Sequence, residues 1–89
     1  MSIVDDYVSR IEGACGAEKD VIVVFKYDKK DEAIAKILRN AQIKNKIAGI
    51  IFELTFQNTS FRLYSSGKAI FRSIKDKEEL KSLLSKLLL

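Results

Sequence analysis

Histidine, proline and tryptophan are absent from this chain of 89 residues, which has a single cysteine, Cys15. Without histidine and with one thiol, the chain has no ligand set of the kind that holds zinc or iron, so we expect neither a metal nor a cofactor. One cysteine forms no disulfide within a chain, and Cys15 is interpreted as a small buried side chain rather than a nucleophile. The lack of histidine also removes the commonest general acid or base of an enzyme.

Long apolar runs are absent too. No stretch approaches the roughly 20 apolar residues of a membrane-spanning helix, and the sequence begins with no charged-then-apolar leader. There is no glycine-rich phosphate loop, no linker, no low-complexity tract and no internal repeat. We therefore expect a single cytoplasmic domain over residues 1–89 that has no membrane contact and is not an enzyme.

The chain does contain a moderate excess of positive charge. Sixteen Lys and Arg residues oppose twelve Asp and Glu residues, for a formal net charge of +4. Such a surplus favours a polyanionic partner without proving one. A chain of this length buries roughly 60% of its unfolded surface, so one layer of helices on one sheet would use nearly all its apolar residues.

The central stretch from Ile47 to Lys75 predicts three antiparallel strands joined by two tight turns, at residues 57–58 and 65–67. Because side chains alternate along a strand, one face is apolar and must be buried. Its members are Ala48, Ile50, Phe52, Leu54, Phe56, Phe61, Leu63, Ala69 and Phe71. The other face mixes aliphatic, aromatic and guanidinium groups, and we expect function there. Its members are Ile47, Gly49, Ile51, Glu53, Thr55, Ser60, Arg62, Tyr64, Ile70 and Arg72.

Ahead of these strands the sequence predicts a helix, a strand and a second helix. The first helix runs from a cap at Ser2 to Gly13, since its apolar residues have helical spacing. A β-branched run over residues 21–27 predicts a strand with Tyr27 directed towards the helices and Lys26 on the mixed face. Asp31 is expected to cap the second helix, which fades into the polar residues 42–46.

The last helix is predicted from Asp76, which with Glu79 has the spacing of a capping box. Its apolar stripe consists of Leu80, Leu83, Leu84, Leu87 and Leu88. Residues 87–89 are expected to complete the core or a subunit contact. The predicted fold is α+β, with a curved antiparallel sheet of four to five strands, two helices on one face and an extra N-terminal helix.

A short motif connects the central strands to a known family. A strand ends in an aromatic residue and is followed by a small residue, Ser, Gly and Lys, here Tyr64-Ser65-Ser66-Gly67-Lys68, and the earlier helix ends in Arg39-Asn40-Ala41. In motif and element order this resembles one repeat of the TATA-binding protein family, and also the N-terminal domain of one class of bacterial ribonuclease H. The resemblance implies a TBP-like half-repeat over residues 20–89, preceded by an N-terminal helical extension over residues 1–16.

In both relatives the open side of the sheet meets nucleic acid, and in the first family apolar side chains wedge between bases. The resemblance places Tyr64 and Ile47 at wedge positions and Lys68 at a phosphate contact. With Lys26 as a further phosphate contact, the expected nucleic-acid-binding residues are Lys26, Ile47, Ser60, Arg62, Tyr64, Lys68, Ile70 and Arg72. Because the family builds its surface from two repeats, we expect the chain to act as a homodimer formed through strand-edge pairing or within a larger assembly.

Arg62 and Arg72 stand where the family has uncharged groove liners. Arginines favour reading of phosphate or shape, or stacking of a single strand on Tyr64. The alternative hypothesis is a protein-interaction or assembly module whose mixed sheet face is covered by a partner, a second copy or the N-terminal helix. Glu53, the lone carboxylate on that face, is interpreted as a salt-bridge partner rather than a general base.

Overall fold

A computed structural model describes residues 3–13, 16 and 19–89. The described chain forms three helices and six strands. In chain order these are α1 (Ile3–Tyr7), β1 (Val8–Gly13), β2 (Asp20–Phe25), α2 (Lys30–Asn40), β3 (Gln42–Ile47), β4 (Ile51–Phe56), β5 (Thr59–Tyr64), β6 (Lys68–Arg72) and α3 (Lys77–Leu87). The predicted α+β class is confirmed. The predictions for Ser2 and Cys15 fall outside the described residues.

The six strands form one open antiparallel sheet with the order β1-β2-β6-β5-β4-β3. Strands β3 to β6 are consecutive neighbours, as expected when short turns join antiparallel strands. Helix α2 carries the chain from β2 to the far edge at β3. Consequently β1 and β3 are the two edge strands. The predicted turns at residues 57–58 and 65–67 are confirmed, with Gly67 at a φ of 107°.

One face of the sheet is sealed by all three helices. The alternate strand residues predicted to be buried do face this core where they lie in strands, and Phe61 stacks on its cross-strand partner Phe71 with ring centroids 4.6 Å apart. The strand contribution to the core is Val21, Val23, Phe25, Phe52, Leu54, Phe61, Leu63, Ala69 and Phe71. Helix α1 contributes Val4 and Tyr7 to the same cluster. The opposite face, called the open face, is therefore where the polar groups of the sheet lie.

Helix α3 matches its prediction closely. The Asp76 carboxylate accepts a hydrogen bond of 2.8 Å from the backbone N–H of Glu79, which satisfies one of the unpaired donors at the helix start. All five leucines of the predicted stripe are buried, whereas Leu89 is 68% exposed and so does not complete the core. At the other end of α3, the Asn40 side-chain amide donates to the Leu87 carbonyl at 2.8 Å and joins α2 to α3.

The prediction of one helix over residues 2–13 is wrong in its second half, because residues 8–13 form β1 and pair with β2. The register shifts between Val8 and Arg10, so Ser9 is an extra, bulged residue. This bulge brings Val8 and Ile11 to the same core face, although residues three apart lie on opposite faces of a regular strand. Val8 and Ile11 are therefore three positions apart, which is also the spacing of apolar residues on one side of a helix. Residues 8–13 belong to the sheet, so the N-terminal segment is not a purely helical extension.

The strand predicted to start at Ile47 begins at Ile51 instead, and the predicted polar fade at residues 42–46 is the edge strand β3. Ala48 and Gly49 have φ values of 54° and 71° and form a two-residue turn closed by a 3.1 Å hydrogen bond from Ile50 N to Ile47 O. Ala48 and Ile50 are consequently exposed rather than buried. The sheet thus has six strands rather than four or five.

Two predictions about the segment between β2 and α2 are also wrong. Strand β2 ends at Phe25, so Lys26 follows the strand and Tyr27 is 88% exposed instead of facing the helices. Helix α2 begins one residue before Asp31, with Lys29 at the N-cap position and no side-chain cap hydrogen bond. The run of lysines and aspartates here favours a solvated turn over a continued strand. Among the described residues, no helix has the length and apolar character needed to cross a membrane.

Candidate nucleic-acid interface

The open face contains a groove of about 420 Å³. Its lining residues lie on β2 to β6, and none of residues 4–13 lines it. Besides Leu54 and Phe61, which are buried in the core, they are Asp20, Lys44, Glu53, Thr55, Ser60, Arg62, Tyr64, Ile70 and Arg72. Because Val4 and Tyr7 of α1 are buried on the opposite side of the sheet, the N-terminal helix does not cover the groove. In this structure, therefore, the N-terminal helix is not what covers the open face in the alternative hypothesis of a protein-interaction module.

A row of register partners crosses the middle of the open face. Asn45 lies opposite Glu53, which lies opposite Arg62, which in turn lies opposite Ile70. The Glu53 carboxylate accepts a 3.3 Å hydrogen bond from the Asn45 side chain and forms an ion pair of 3.6 Å with the Arg62 Nε. The prediction that Glu53 is a salt-bridge partner is therefore confirmed. Cross-strand neighbours of this kind lie about 5 Å apart, so the row is a continuous strip of side chains.

The second arginine is also placed beside a carboxylate. Arg72 Nε lies 3.9 Å from an Asp20 oxygen, and these two residues are register partners on β6 and β2. The side chains of Arg62 and Arg72 remain 56% and 70% exposed. Exposed pairs of this type stabilise a fold by only about 0–1 kcal/mol. Both guanidinium groups are therefore held in position yet remain available to a stronger acceptor such as a phosphate.

A bulge in β3 adds a third cation to the groove. The pairing of β3 with β4 shifts between Ile43 and Asn45, which makes Lys44 the extra residue. Lys44 lines the groove, and its neighbour Asn45 also reaches the open face. Bulges commonly redirect a side chain in this way. Lys44 and Asn45 were not predicted as site residues because residues 42–46 were interpreted as the polar end of the second helix. Asp20 was not predicted because it precedes the β-branched run over residues 21–27 from which the strand was predicted.

The end of the groove is formed by an aromatic ring and a lysine. Tyr64 is half-buried, and Lys68 Nζ lies 5.2 Å from the centre of its ring. Tyr64 is also the register partner of Ile51, which is the partner of Ile47 on the edge strand. Ile47 is 39% exposed. An apolar strip thus runs from the edge of the sheet to the Tyr64 ring and meets a cation there.

The structure brings most of the predicted site residues together. Five of them line the groove: Ser60, Arg62, Tyr64, Ile70 and Arg72. Lys68 adjoins the groove through Tyr64, and Ile47 lies at the edge of the same face, separated from Tyr64 by Ile51. Lys26 does not line the groove and lies beyond the end of β2, in the connection to α2.

The other polar side chains of the described residues also lie at the surface. Within residues 3–13, 16 and 19–89, no charged or polar side chain is buried, and no three acidic or cysteine side chains converge where a metal ion would bind. Comparison with family models, with curated proteins and with solved structures yields no match for this chain. The candidate interface therefore rests on its own geometry.

Proposed function

We propose that this protein is a nucleic-acid-binding module that holds a single strand of DNA or RNA in the open-face groove. The observation that carries the proposal is the groove itself, which is not covered by the described helices and presents Arg62 and Arg72 alongside Tyr64. A positively charged groove with an aromatic stacking platform is the general design of single-strand binding. The resemblance of residues 64–68 to the TATA-binding protein family, which binds duplex DNA, supports nucleic acid as the class of partner. The preference for a single strand rests on the arginines and Tyr64.

In the proposed complex, phosphates displace the carboxylates of Glu53 and Asp20 from the two arginines. Hydrogen bonds between guanidinium and phosphate are charge-assisted and often bidentate, so they exceed an exposed ion pair of 3.6–3.9 Å in strength. Lys44 and Lys68 supply two further cations. A base stacks on Tyr64, and the apolar strip through Ile51 accommodates its neighbour. These contacts bind the charged phosphates and the flat faces of the bases, so they confer little preference for base sequence.

The variant Arg62→Ala/Arg72→Ala tests the proposal. Fluorescence anisotropy with labelled single-stranded DNA, single-stranded RNA and duplex DNA should show that the wild type binds single strands most tightly. The double variant should lose at least tenfold in affinity, since removing two charged hydrogen-bond donors costs about 1.5–3 kcal/mol each. A matched control is Lys77→Ala/Lys81→Ala, which removes the same charge from exposed positions on α3. Equal affinities for the wild type and the arginine variant would refute the proposal.

The homodimer that the family resemblance implies would form through strand-edge pairing, and the sheet has two edges, β1 and β3. Both β1 and β3 contain a bulge, and β3 also has Lys44 and Lys46. Bulges and edge lysines are features that oppose the addition of another strand. We therefore take one copy of the chain as the binding unit. Sedimentation analysis of the wild type measures this directly.

One observation favours a second candidate, a protein-interaction module. The groove contains two carboxylates, Asp20 and Glu53, next to its arginines and Ile70. Interfaces between proteins have this mixture of an apolar centre, arginine and a polar rim. Under this candidate, the arginine variant would leave nucleic-acid binding unchanged. The anisotropy experiment therefore separates the two candidates.

A further inference from the structure

A second basic and aromatic surface lies at one end of the sheet, where the β2–α2 connection meets the β5–β6 turn. We call it the basic end and define it by Lys26, Tyr27, Lys29, Lys30 and Lys68. Its four lysines oppose two aspartates, Asp28 and Asp31, so it is net positive. Of its residues, only Lys26 and Lys68 are among the nucleic-acid-binding residues predicted from the sequence.

Tyr27 is the most exposed of the large apolar or aromatic side chains in the described chain, at 88%. Lys30 Nζ lies 5.4 Å from the centre of its ring. An aromatic ring with nearly all its surface in water contributes little to stability, because the area it buries is small. A flat ring beside a cation does, however, provide a surface on which a base can stack while the cation meets the adjacent phosphate.

The backbone around Tyr27 is fixed on both sides. Phe25 N donates to Gly67 O at 2.9 Å, and Lys26 N donates to Tyr7 O at 2.8 Å. Lys29 N then donates to Lys26 O at 2.9 Å, which closes the turn that contains Tyr27. The exposed ring is thus presented by a turn anchored to the sheet and to α1. Such anchoring reduces the entropy that binding would otherwise cost.

The basic end continues from the groove. Tyr64, Lys68 and Val24 are successive register partners on three neighbouring strands, so Tyr64 and Val24 are about 10 Å apart. Phe25, the last residue of β2, separates Val24 from Lys26 and Tyr27. The side chain of Lys30 also lies against Gly67, since a Cβ added there would come within 2.9 Å of the Lys30 Cδ. The side chains of Lys68 and Lys30 therefore lie between the Tyr64 ring and the Tyr27 ring.

We propose that a single strand of nucleic acid leaves the groove past Tyr64 and continues over the basic end, where one base stacks on Tyr27. Lys26 and Lys30 contact the phosphates on either side of that base. This inference rests on the proposed function and extends it, because it assigns a second stacking position and a direction to the bound strand. A short strand fills the groove alone, whereas a longer strand also reaches Tyr27.

The test uses oligothymidylates of about 4 and about 16 nucleotides, the limits of typical single-strand binding sites. Tyr27→Ala should weaken binding of the long strand by roughly fivefold or more and leave the short strand unchanged, since stacking on one base is lost. Tyr27→Phe keeps the ring and should bind both strands like the wild type. Circular dichroism verifies the fold, which this exposed position should not disturb.

Fluorescence provides an independent readout because the chain has no tryptophan. In Tyr27→Trp the indole is the single tryptophan, and the long strand should quench it while the short strand should not. Tyr64→Trp is the matched control, and both strands should quench it. Inorganic polyphosphate, which has charge without bases, should bind wild type and Tyr27→Ala equally.

Several results would overturn the inference while leaving the proposed function intact. These are an unchanged affinity of Tyr27→Ala for the long strand, an equal loss for both strands, or a difference in polyphosphate binding between wild type and Tyr27→Ala. If the wild type binds neither oligothymidylate, the proposed function fails and the inference fails with it. The two failures are therefore distinguishable.

Discussion

At the scale of single residues, Glu53 determines how available Arg62 is to a ligand. Its carboxylate lies between the Asn45 amide and the Arg62 guanidinium, at 3.3 and 3.6 Å. A phosphate that approaches Arg62 must displace this carboxylate and also meets its negative charge. Glu53 is thus expected to weaken nucleic-acid binding while it orients the arginine.

Glu53→Gln should therefore strengthen binding of single-stranded nucleic acid. The amide retains a partner for Asn45 and removes the negative charge beside Arg62. An exposed ion pair is worth about 0.2–1 kcal/mol, so affinity should rise by up to roughly fivefold, with little change in the free energy of unfolding. Anisotropy titration measures the affinity, and urea unfolding measures the stability.

Glu12→Gln is the control for this substitution. Glu12 is paired with Arg10 at 2.9 Å on the edge strand β1 and does not line the groove. Its replacement changes the net charge equally and should have a smaller effect on affinity. Equal gains from the two variants would mean that only the total charge matters, and weaker binding by Glu53→Gln would contradict the assigned role.

At the scale of elements, the two long helices begin differently. Helix α3 has the Asp76 side chain as its cap, whereas α2 has Lys29 at the N-cap position and makes no such hydrogen bond. Asp31 lies in the first turn of α2, where its negative charge is favourable to the helix dipole. The two aspartates were both predicted as caps from the sequence, and their energies should differ.

Asp76→Ala should lower the free energy of unfolding by about 1 kcal/mol, because the hydrogen bond to the Glu79 N–H is lost. Asp31→Ala removes no such hydrogen bond and should lower it by less than Asp76→Ala does, because a charge near a helix start is worth about 0.3–1 kcal/mol and Asp76 loses this contribution as well. Urea unfolding of the two variants gives the comparison. Equal losses would show that the Asp76 hydrogen bond adds nothing.

The elements that could be predicted are those with regular patterns. The three strands from Ile51 to Arg72 follow strict alternation, so their buried and open faces were assigned correctly, and the leucine spacing of α3 fixed its buried side. The edge strand β1 was missed because its bulge places two core residues three positions apart. The edge strand β3 was missed because all its residues are exposed, so its sequence shows no buried face. The predicted groove residues on β5 and β6 therefore came together, while Lys44 on β3 was not foreseen.

At the scale of the whole molecule, the sheet has two edges that the described chain leaves without a neighbouring strand, at β1 and β3. Every residue of β3 is exposed, yet its bulge at Lys44 and its second lysine, Lys46, hinder pairing with another strand. Lys46 Nζ also lies 5.7 Å from the Phe52 ring centre and so shields the edge of the core. We expect the wild type to sediment as a monomer.

Replacing the two edge lysines should remove this protection. Lys44→Thr/Lys46→Thr leaves a β3 edge rich in strand-forming residues, and sedimentation should show association that increases with concentration. Lys77→Thr/Lys81→Thr on α3 is the control and should remain monomeric. A stable dimer of the wild type would contradict this account of the edges and would favour the two-copy arrangement implied by the family resemblance.

The whole groove can also be tested through its charge. Arg62, Arg72, Lys44 and Lys68 lie in or beside it. Each phosphate that a protein neutralises on a single strand releases counterions, so the logarithm of the binding constant falls with the logarithm of salt concentration by about 0.7 per contact. Four contacts predict a slope of about −3.

The most direct measurement is this salt dependence for the labelled short oligothymidylate of about 4 nucleotides, which carries a 5′ phosphate and fills the groove alone. It is measured with the wild type and with Arg62→Ala/Arg72→Ala. The wild type should give a slope of about −3, and the variant, with two contacts left, a slope of about −1.4. Identical slopes for the two proteins, or a wild-type affinity that does not change with salt, would contradict binding of nucleic acid in the open-face groove.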